Sequence, residues 1–290
     1  SSVAMASTNE LRLLATTFPM YHLTQRIIEG QEGIRLSQLL PSQAGCPHDY
    51  VLTPRDMQKL SDADVLIING LGLEEFLGAP VSKVNPKLKM IDASKGIEGI
   101  LHYDHAETHG HESDEHNQEN PHLFASPRMM AQMAISMAEK LAPLFPSGAE
   151  RFRANARLYA DELNAVADAF SQLGDRLNNN RIVTQHDVFD YLARDAGLEV
   201  VAVIQSHSGQ EPSAAEMLHL MQEIRDKQAG AIFTEPQYPD KIGQMLSRNS
   251  GIPAEVLDPV ASGPENAPRD YYLKTMLSNL AILEQSLGTH

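Results

Sequence analysis

The chain has 290 residues, of which 42% are hydrophobic and 21% are charged. This is a globular composition with enough apolar residues for two cores. The formal net charge of -15 argues against binding to the phosphate backbone of a nucleic acid, and it is compatible with a cationic ligand. No apolar run approaches the roughly 18 residues of a transmembrane helix, so we do not expect the chain to span a membrane.

The N-terminal segment and the single cysteine say little about the compartment. Residues 1–10 are small and polar and do not resemble a signal peptide, so we expect that any targeting segment, with or without a lipid anchor, has been removed. Cys46 cannot form an internal disulfide, and it is either a small buried hydrophobe or a metal ligand. The unusual residue is histidine: five of the twelve histidines lie between positions 102 and 116.

Short runs rich in β-branched residues alternate with segments long enough for a helix. This alternation is typical of βα units with parallel strands. Four of the runs precede residue 95 and four follow residue 180, so we predict two similar α/β lobes, each with a parallel four-stranded sheet flanked by helices. The predicted strands span residues 11–16, 34–39, 65–69, 88–92, 182–184, 200–204, 231–234 and 255–258.

The segment between the two sets of strands, residues 148–177, has apolar residues at helical spacing and no internal proline. Gly174 is its one internal weak point. At 1.5 Å per residue, such a helix is roughly 45 Å long, enough to run along both lobes. We therefore predict an N-terminal lobe over 9–146, one spanning helix over 147–178 and a C-terminal lobe over 179–290.

The segment LHYDHAETHGHESDEHNQEN, residues 101–120, is nearly free of apolar residues. Such a segment cannot contribute to a core, and we predict a mobile loop. The composition by itself fits a solvated loop with incidental metal affinity. Its candidate weak ligands are His102, His105, His109, His111 and His116.

Four residues lie where a predicted strand ends or a helix begins, namely His48, His122, His186 and Asp258. Ligands of open α/β sheets bind at the carboxyl ends of the strands. Each residue alone is more often an ordinary structural residue, but two come from each half of the chain. Three imidazoles and one carboxylate make a tetrahedral nitrogen and oxygen set that suits zinc, whereas calcium and magnesium need more carboxylates.

Two acidic residues lie next to these candidates. Glu235 ends the seventh predicted strand, and it is a candidate acceptor that orients a ligand histidine. Asp187 follows His186 directly and is interpreted as a residue at the start of a helix.

Five strings occur in a fixed order: PSQAGCPHDY, NPHLFASPR, TQHDVFDYLARDAGL, FTEPQYP and VLDP. They resemble the signature segments of zinc and manganese solute-binding proteins of bacterial ABC importers, the ZnuA/TroA-like cluster A-I family. The resemblance extends over essentially the whole chain. It implies two α/β lobes, a spanning helix and one metal between the lobes, with His48, His122, His186 and Asp258 as its ligands. The segment 101–120 resembles an insertion of zinc-importing members, which implies that it scavenges metal weakly or delivers it to the main site.

The resemblance also implies a role. We expect a periplasmic or surface-exposed protein, possessing a lipid anchor or not, that captures Zn(II) and delivers it to the membrane permease of an ABC importer. We expect a monomer that binds no nucleic acid. Cell adhesion, which is attributed to some members of the family, remains open as a second role.

The identity of the metal and the class of protein have alternatives. Members that bind manganese typically have Glu where this chain has His186, so Mn(II) and Fe(II) are the second choice after zinc. Pro47 stands where some zinc-binding members have an acidic residue, which makes Asp258 the better fourth ligand.

A zinc hydrolase needs an open coordination position, and no HExxH or GxSxG string is present, so we predict no enzyme. A cleft for an organic ligand usually contains aromatic side chains, yet the chain has no Trp.

Overall fold

The computed structural model describes residues 10–44, 47, 50–78, 80–102, 119–205 and 211–288. The chain forms two compact units, and each is assembled from three separate stretches. The first unit comprises Ser1–Gly96, Met133–Ala160 and Ser262–Glu265, and the second comprises Ile97–Gln132, Asp161–Ala261 and Asn266–His290.

The first unit contains a parallel sheet in the order β2-β1-β3-β4. Helix α2 begins with a capping box in which the Thr53 hydroxyl accepts from the backbone of Asp56 and the Asp56 carboxylate accepts from the backbone of Thr53. The elements are β1 (Leu11–Ala15), α1 (Phe18–Ile28), β2 (Ile34–Gln38), α2 (Pro54–Asp62), β3 (Val65–Ile68), α3 (Pro80–Val84) and β4 (Lys89–Asp92).

The core of the first unit lies between the sheet and its helices. Leu14 and Leu66, on the adjacent strands β1 and β3, are fully buried against Leu60 of α2. Burial of a leucine side chain stabilises the fold by about 1.5–3 kcal/mol relative to an exposed one. These strands carry apolar residues on both faces because helices cover a parallel sheet on both sides.

The second unit repeats the arrangement with the strand order β6-β5-β7-β8, again all parallel. Helix α7 also begins with a capping box, formed by Ser213 and Glu216. The elements are β5 (Arg181–Thr184), α6 (Asp190–Ala196), β6 (Glu199–Val203), α7 (Ala214–Asp226), β7 (Ala231–Thr234), α8 (Lys241–Ser250), β8 (Ala254–Val256) and α9 (Tyr271–Leu287). The numbers α4 and α5 belong to the two helices that precede β5.

Two longer helices contribute residues to both units. They are α4 (Pro127–Leu141) and α5 (Ala149–Gly174), and a 3₁₀ turn over Pro146–Gly148 precedes α5. Helix α5 has 26 residues and ends at Gly174, where an added Cβ atom would lie 1.8 Å from the carbonyl oxygen of Ala196. The glycine is therefore required by the close approach of another backbone.

The predicted fold class, two parallel four-stranded sheets flanked by helices with one long helix between them, is confirmed. The lobe and helix boundaries at 9–146, 147–178 and 179–290 stay a prediction. None of the described helices combines the length and hydrophobicity that crossing a lipid bilayer requires.

Candidate metal centre

The strand order of the second unit reverses direction between β5 and β7. Strands β5 and β7 are neighbours, but the connection from β5 runs to β6 on one side while β7 continues to β8 on the other. The carboxyl ends of two strands on either side of such a reversal form the usual ligand site of an open α/β sheet. His186 lies two residues beyond β5, and Glu235 follows β7 directly.

His186 is buried and held through one ring nitrogen. The residue is 5% exposed, and Nδ1 contacts a carboxylate oxygen of Glu235, which is 2% exposed. The ring of Tyr238 lies beside it, with centroids 5.8 Å apart. Among the residues that the structure describes, Nε2 of His186 has no hydrogen-bond partner. A buried imidazole nitrogen without a partner is costly, and a bound metal ion would satisfy it.

Burial raises the pKa of the Glu235 carboxyl, the contact with His186 lowers it, and the nearby charge of Asp258 raises it further. The carboxyl is thus held in a site that favours a compensating positive charge. A carboxylate that accepts a hydrogen bond from Nδ1 also makes Nε2 a better metal ligand.

His122 lies beside His186. It directly precedes a 3₁₀ turn over Leu123–Ala125, ahead of helix α4, and it is 1% exposed. Its ring centroid is 5.4 Å from that of His186, and the two rings are nearly perpendicular. Nδ1 of His122 lies 2.9 Å from the Oδ1 atom of Asn120. The structure thus brings together two of the four predicted ligands, each with an acceptor at Nδ1.

Asp187 is the third member of this cluster. His122, His186 and Asp187 each offer a potential ligand atom within 4.8 Å of the others. The carboxylate of Asp187 is 3.8 Å from Nδ1 of His122, and burial raises the pKa of Asp187 to about 6. Since Nδ1 of His122 faces Asn120, a metal on this histidine would bind through Nε2. We therefore interpret Asp187 as a residue that supports His122 from the Nδ1 side.

Asp258 lies two residues beyond β8 and is fixed by its own loop and by helix α9. Its backbone N–H donates to Asn279 over 3.0 Å, and the Asn279 amide donates back to its carbonyl over 2.8 Å. One carboxylate oxygen accepts from the backbone of Val260, a residue with a φ of 60°. Burial raises the pKa of Asp258. Asp258 is not part of the 4.8 Å cluster, so its role as a ligand stays a prediction.

Comparison with known proteins places the chain in a family. The family model described as the periplasmic component A of the zinc-uptake complex, ZnuA, matches residues 13–286. The chain belongs to this family. The resemblance inferred from the five sequence strings is thereby confirmed.

Individual family relatives are distant but cover nearly all of the chain. The zinc-binding lipoprotein AdcA of Streptococcus pneumoniae is 26% identical over 287 residues, which are 96% of this chain and 56% of AdcA. The chain therefore spans little more than half the length of that relative. The high-affinity zinc uptake system protein ZnuA of Bacillus subtilis is 27% identical over 285 residues, 96% of this chain and 88% of that protein. The solute-binding protein FpvC of Pseudomonas aeruginosa, solved in complex with Mn²⁺, has a TM-score of 0.79, is 26% identical and covers 96% of this chain and 98% of its own.

Several predicted site residues fall outside the described part of the chain. These are His48, Cys46 and the histidines His105, His109, His111 and His116. His102 is described: it is exposed and pairs with Glu119 in a single antiparallel bridge. The roles predicted for all of these residues stay predictions.

Sequence reasoning did not identify Asn120 as a functional residue. The only local signal was its position before Pro121, which is typical of a turn. Its partner Asp187 is 67 positions away, so no local pattern predicts the contact.

Proposed function

We propose that this protein binds Zn(II) outside the cytoplasm and delivers it to the membrane permease of an ABC importer. The observation that carries the proposal is the buried pair of His122 and His186, whose ring centroids are 5.4 Å apart. Each Nδ1 atom faces an oxygen acceptor, which leaves Nε2 as the nitrogen for a metal. Histidines that bind zinc typically have this second contact.

We propose that His48 and Asp258 complete the ligand set. Support for His48 comes from the sequence pattern, and support for Asp258 comes from the pattern and from its electrostatic effect on Glu235. Three imidazoles favour zinc over the harder Mn(II) ion. Manganese is the second candidate, because FpvC was solved with Mn²⁺.

We propose binding and release rather than catalysis. Four protein ligands fill the tetrahedral shell of zinc and leave no position for a reactive water. The names of the two relatives, a zinc-binding lipoprotein and a high-affinity zinc uptake protein, support a role in binding zinc rather than in catalysis. They also support a location outside the cytoplasm. We further propose that the protein acts as a monomer and that the His-rich loop 101–120 is a weaker, accessory metal site.

Isothermal titration of metal-stripped protein with zinc and, separately, with manganese tests this function. We expect one tight zinc site per chain and weaker binding of manganese. Loss of a residue that merely supports a ligand costs about 10–100-fold in affinity, so His122→Ala and His186→Ala should each cost more than about 100-fold. His219→Ala is the matched control, since His219 is an exposed histidine on α7 of the same unit.

Two results would contradict the proposal. One is the absence of a tight site for either metal in the wild-type chain. The other is a loss in the His219→Ala variant equal to that of the His122 and His186 variants. Tight binding of manganese with weak binding of zinc would retain a metal-import function and replace the metal.

A further inference from the structure

Asn120 uses its whole side chain to connect the surroundings of the two histidines. It is 1% exposed. Its Oδ1 atom accepts from the backbone N–H of His122 over 2.9 Å and lies 2.9 Å from Nδ1 of the same residue. Its Nδ2 atom donates to the backbone carbonyl of Asp187 over 3.1 Å and to the carboxylate of Asp190 over 3.2 Å.

These partners fix the orientation of the amide. The backbone N–H of His122 can only donate, and the backbone carbonyl of Asp187 can only accept. Oδ1 of Asn120 must therefore face His122. The flipped amide would place its N–H donors against the N–H of His122 and its oxygen against the carbonyl oxygen of Asp187. Because Oδ1 is an acceptor only, the ring nitrogen 2.9 Å from it must carry a proton. A neutral His122 is thus held in the Nδ1–H tautomer, with its lone pair on Nε2.

The backbone of Asn120 is fixed as well. Its carbonyl accepts from the hydroxyl of Tyr191 over 2.6 Å, and its N–H donates to the carbonyl of Leu101 over 2.8 Å. The same Tyr191 hydroxyl accepts from the N–H of Leu101 over 3.1 Å. Asn120 therefore cannot move without disturbing the start of helix α6, which lies just beyond His186 in the chain.

We infer that Asn120 is a positioning residue that selects the Nδ1–H tautomer of His122 and links this histidine to the segment that carries His186. The consequence for zinc rests on the proposed function, whereas the tautomer is a property of the metal-free protein. A histidine that presents Nε2 in advance does not have to move its proton between ring nitrogens before the metal binds. Variants that lose the acceptor should bind zinc more weakly by about 10–100-fold.

Two substitutions separate the positioning of His122 from the structural bonds. In Asn120→Ala, Nδ1 of His122 loses its acceptor, and the Nε2–H tautomer becomes populated. In Asn120→Asp, a carboxylate still accepts from His122, so the Nδ1–H tautomer is retained. That carboxylate cannot donate to the carbonyl of Asp187, and it faces the carboxylate of Asp190, so the variant loses thermal stability.

The experiment is long-range proton–nitrogen NMR on metal-free protein labelled with ¹⁵N-histidine, together with zinc titration. The His122 signals are assigned by their loss in His122→Gln. Asn155→Ala is the matched control, because the Asn155 amide also bridges two backbone carbonyls, those of Ile27 and Glu29, but in the first unit. We expect the Nδ1–H tautomer in the wild type, Asn120→Asp and Asn155→Ala, and a mixture in Asn120→Ala with the loss of zinc affinity given above.

An Nε2–H tautomer in the wild-type protein would overturn the inference without any variant. So would an Asn120→Ala protein with the wild-type tautomer and zinc affinity, a result that would assign the acceptor role to Asp187. If the wild type has the Nδ1–H tautomer but binds no zinc tightly, the proposed function fails and the tautomer assignment stands. If it binds zinc tightly with the Nε2–H tautomer, only the inference about Asn120 fails.

Discussion

Neutralising Glu235 separates metal binding from the stability of the metal-free protein. In Glu235→Gln the side chain keeps its size, and an amide oxygen can still accept from Nδ1 of His186. The variant loses the negative charge that strengthens this hydrogen bond and raises the basicity of the ring. Because Glu235 is 2% exposed, water does not replace that charge. We expect zinc affinity to fall about 10–100-fold, which corresponds to about 1.4–2.7 kcal/mol of binding free energy.

The metal-free protein should respond differently. Burial and the charge of Asp258 raise the pKa of Glu235, so ionising this carboxyl does not stabilise the folded, metal-free state. The thermal midpoint of metal-free Glu235→Gln is therefore not expected to fall. Zinc affinity is measured by competition with a chromophoric chelator, and the midpoint is measured by circular dichroism on the same samples.

Glu74 provides the matched control for this substitution. It is the buried glutamate that follows β3 in the first unit, and it accepts hydrogen bonds from the hydroxyl of Thr16 and the backbone N–H groups of Asn69 and Gly70. In Glu74→Gln, one amide nitrogen faces a donor, so we expect lower stability with zinc affinity within about threefold of the wild type. Equal zinc affinity in Glu235→Gln and the wild type would refute the role given to Glu235. Equal losses of zinc affinity in Glu235→Gln and Glu74→Gln would show that the loss does not depend on the contact with His186.

Three further predictions concern the main site, pH and packing. His186→Ala should weaken tight zinc binding far more than deletion of residues 102–119, and a deletion that alone abolishes tight binding in a titration would contradict the ligand assignment. Burial raises the pKa of Glu74 to about 7, so between about pH 4.5 and 7 the folded chain retains a proton that the unfolded chain has lost. The contribution of Glu74 to the free energy of unfolding should therefore fall by about 3 kcal/mol as pH rises from about 4.5 to 7. Urea unfolding of metal-free wild type and Glu74→Gln at pH 5 and 8 measures this, and identical pH dependence would contradict it. Gly174→Ala should destabilise the chain by about 1–3 kcal/mol in urea unfolding, because the added Cβ would lie against the carbonyl of Ala196. In a helix without such a neighbour, the same change stabilises by about 1 kcal/mol. A stabilised variant would therefore contradict this packing.

The strands were predictable because their signal is local. The first three residues of the apolar run VLII are buried in β3, and AIFT is buried at every position in β7. Such short apolar runs are typical of a parallel sheet that helices cover on both faces. The end of helix α5 was less predictable: the sequence pattern extends to Leu177, whereas the helix ends at Gly174. The backbone of Ala196 lies against Gly174, a contact that no local pattern predicts.

The site was predictable in part for the same reason. His186 and Glu235 each follow a strand, and a parallel sheet brings the ends of neighbouring strands to one edge. Asn120 and Asp187 were not predictable in their roles, because they act through bonds between segments far apart in sequence. Only the tertiary structure determines which backbone carbonyl an asparagine amide reaches.

The crystal structure of the stoichiometric zinc complex, with anomalous data collected at the zinc absorption edge, tests the proposed metal site most directly. We expect one anomalous peak about 2.0–2.1 Å from Nε2 of both His122 and His186, with Asn120 and Glu235 at the two Nδ1 atoms. A zinc ion bound elsewhere, or bound through Nδ1 of either histidine, would contradict the proposed site.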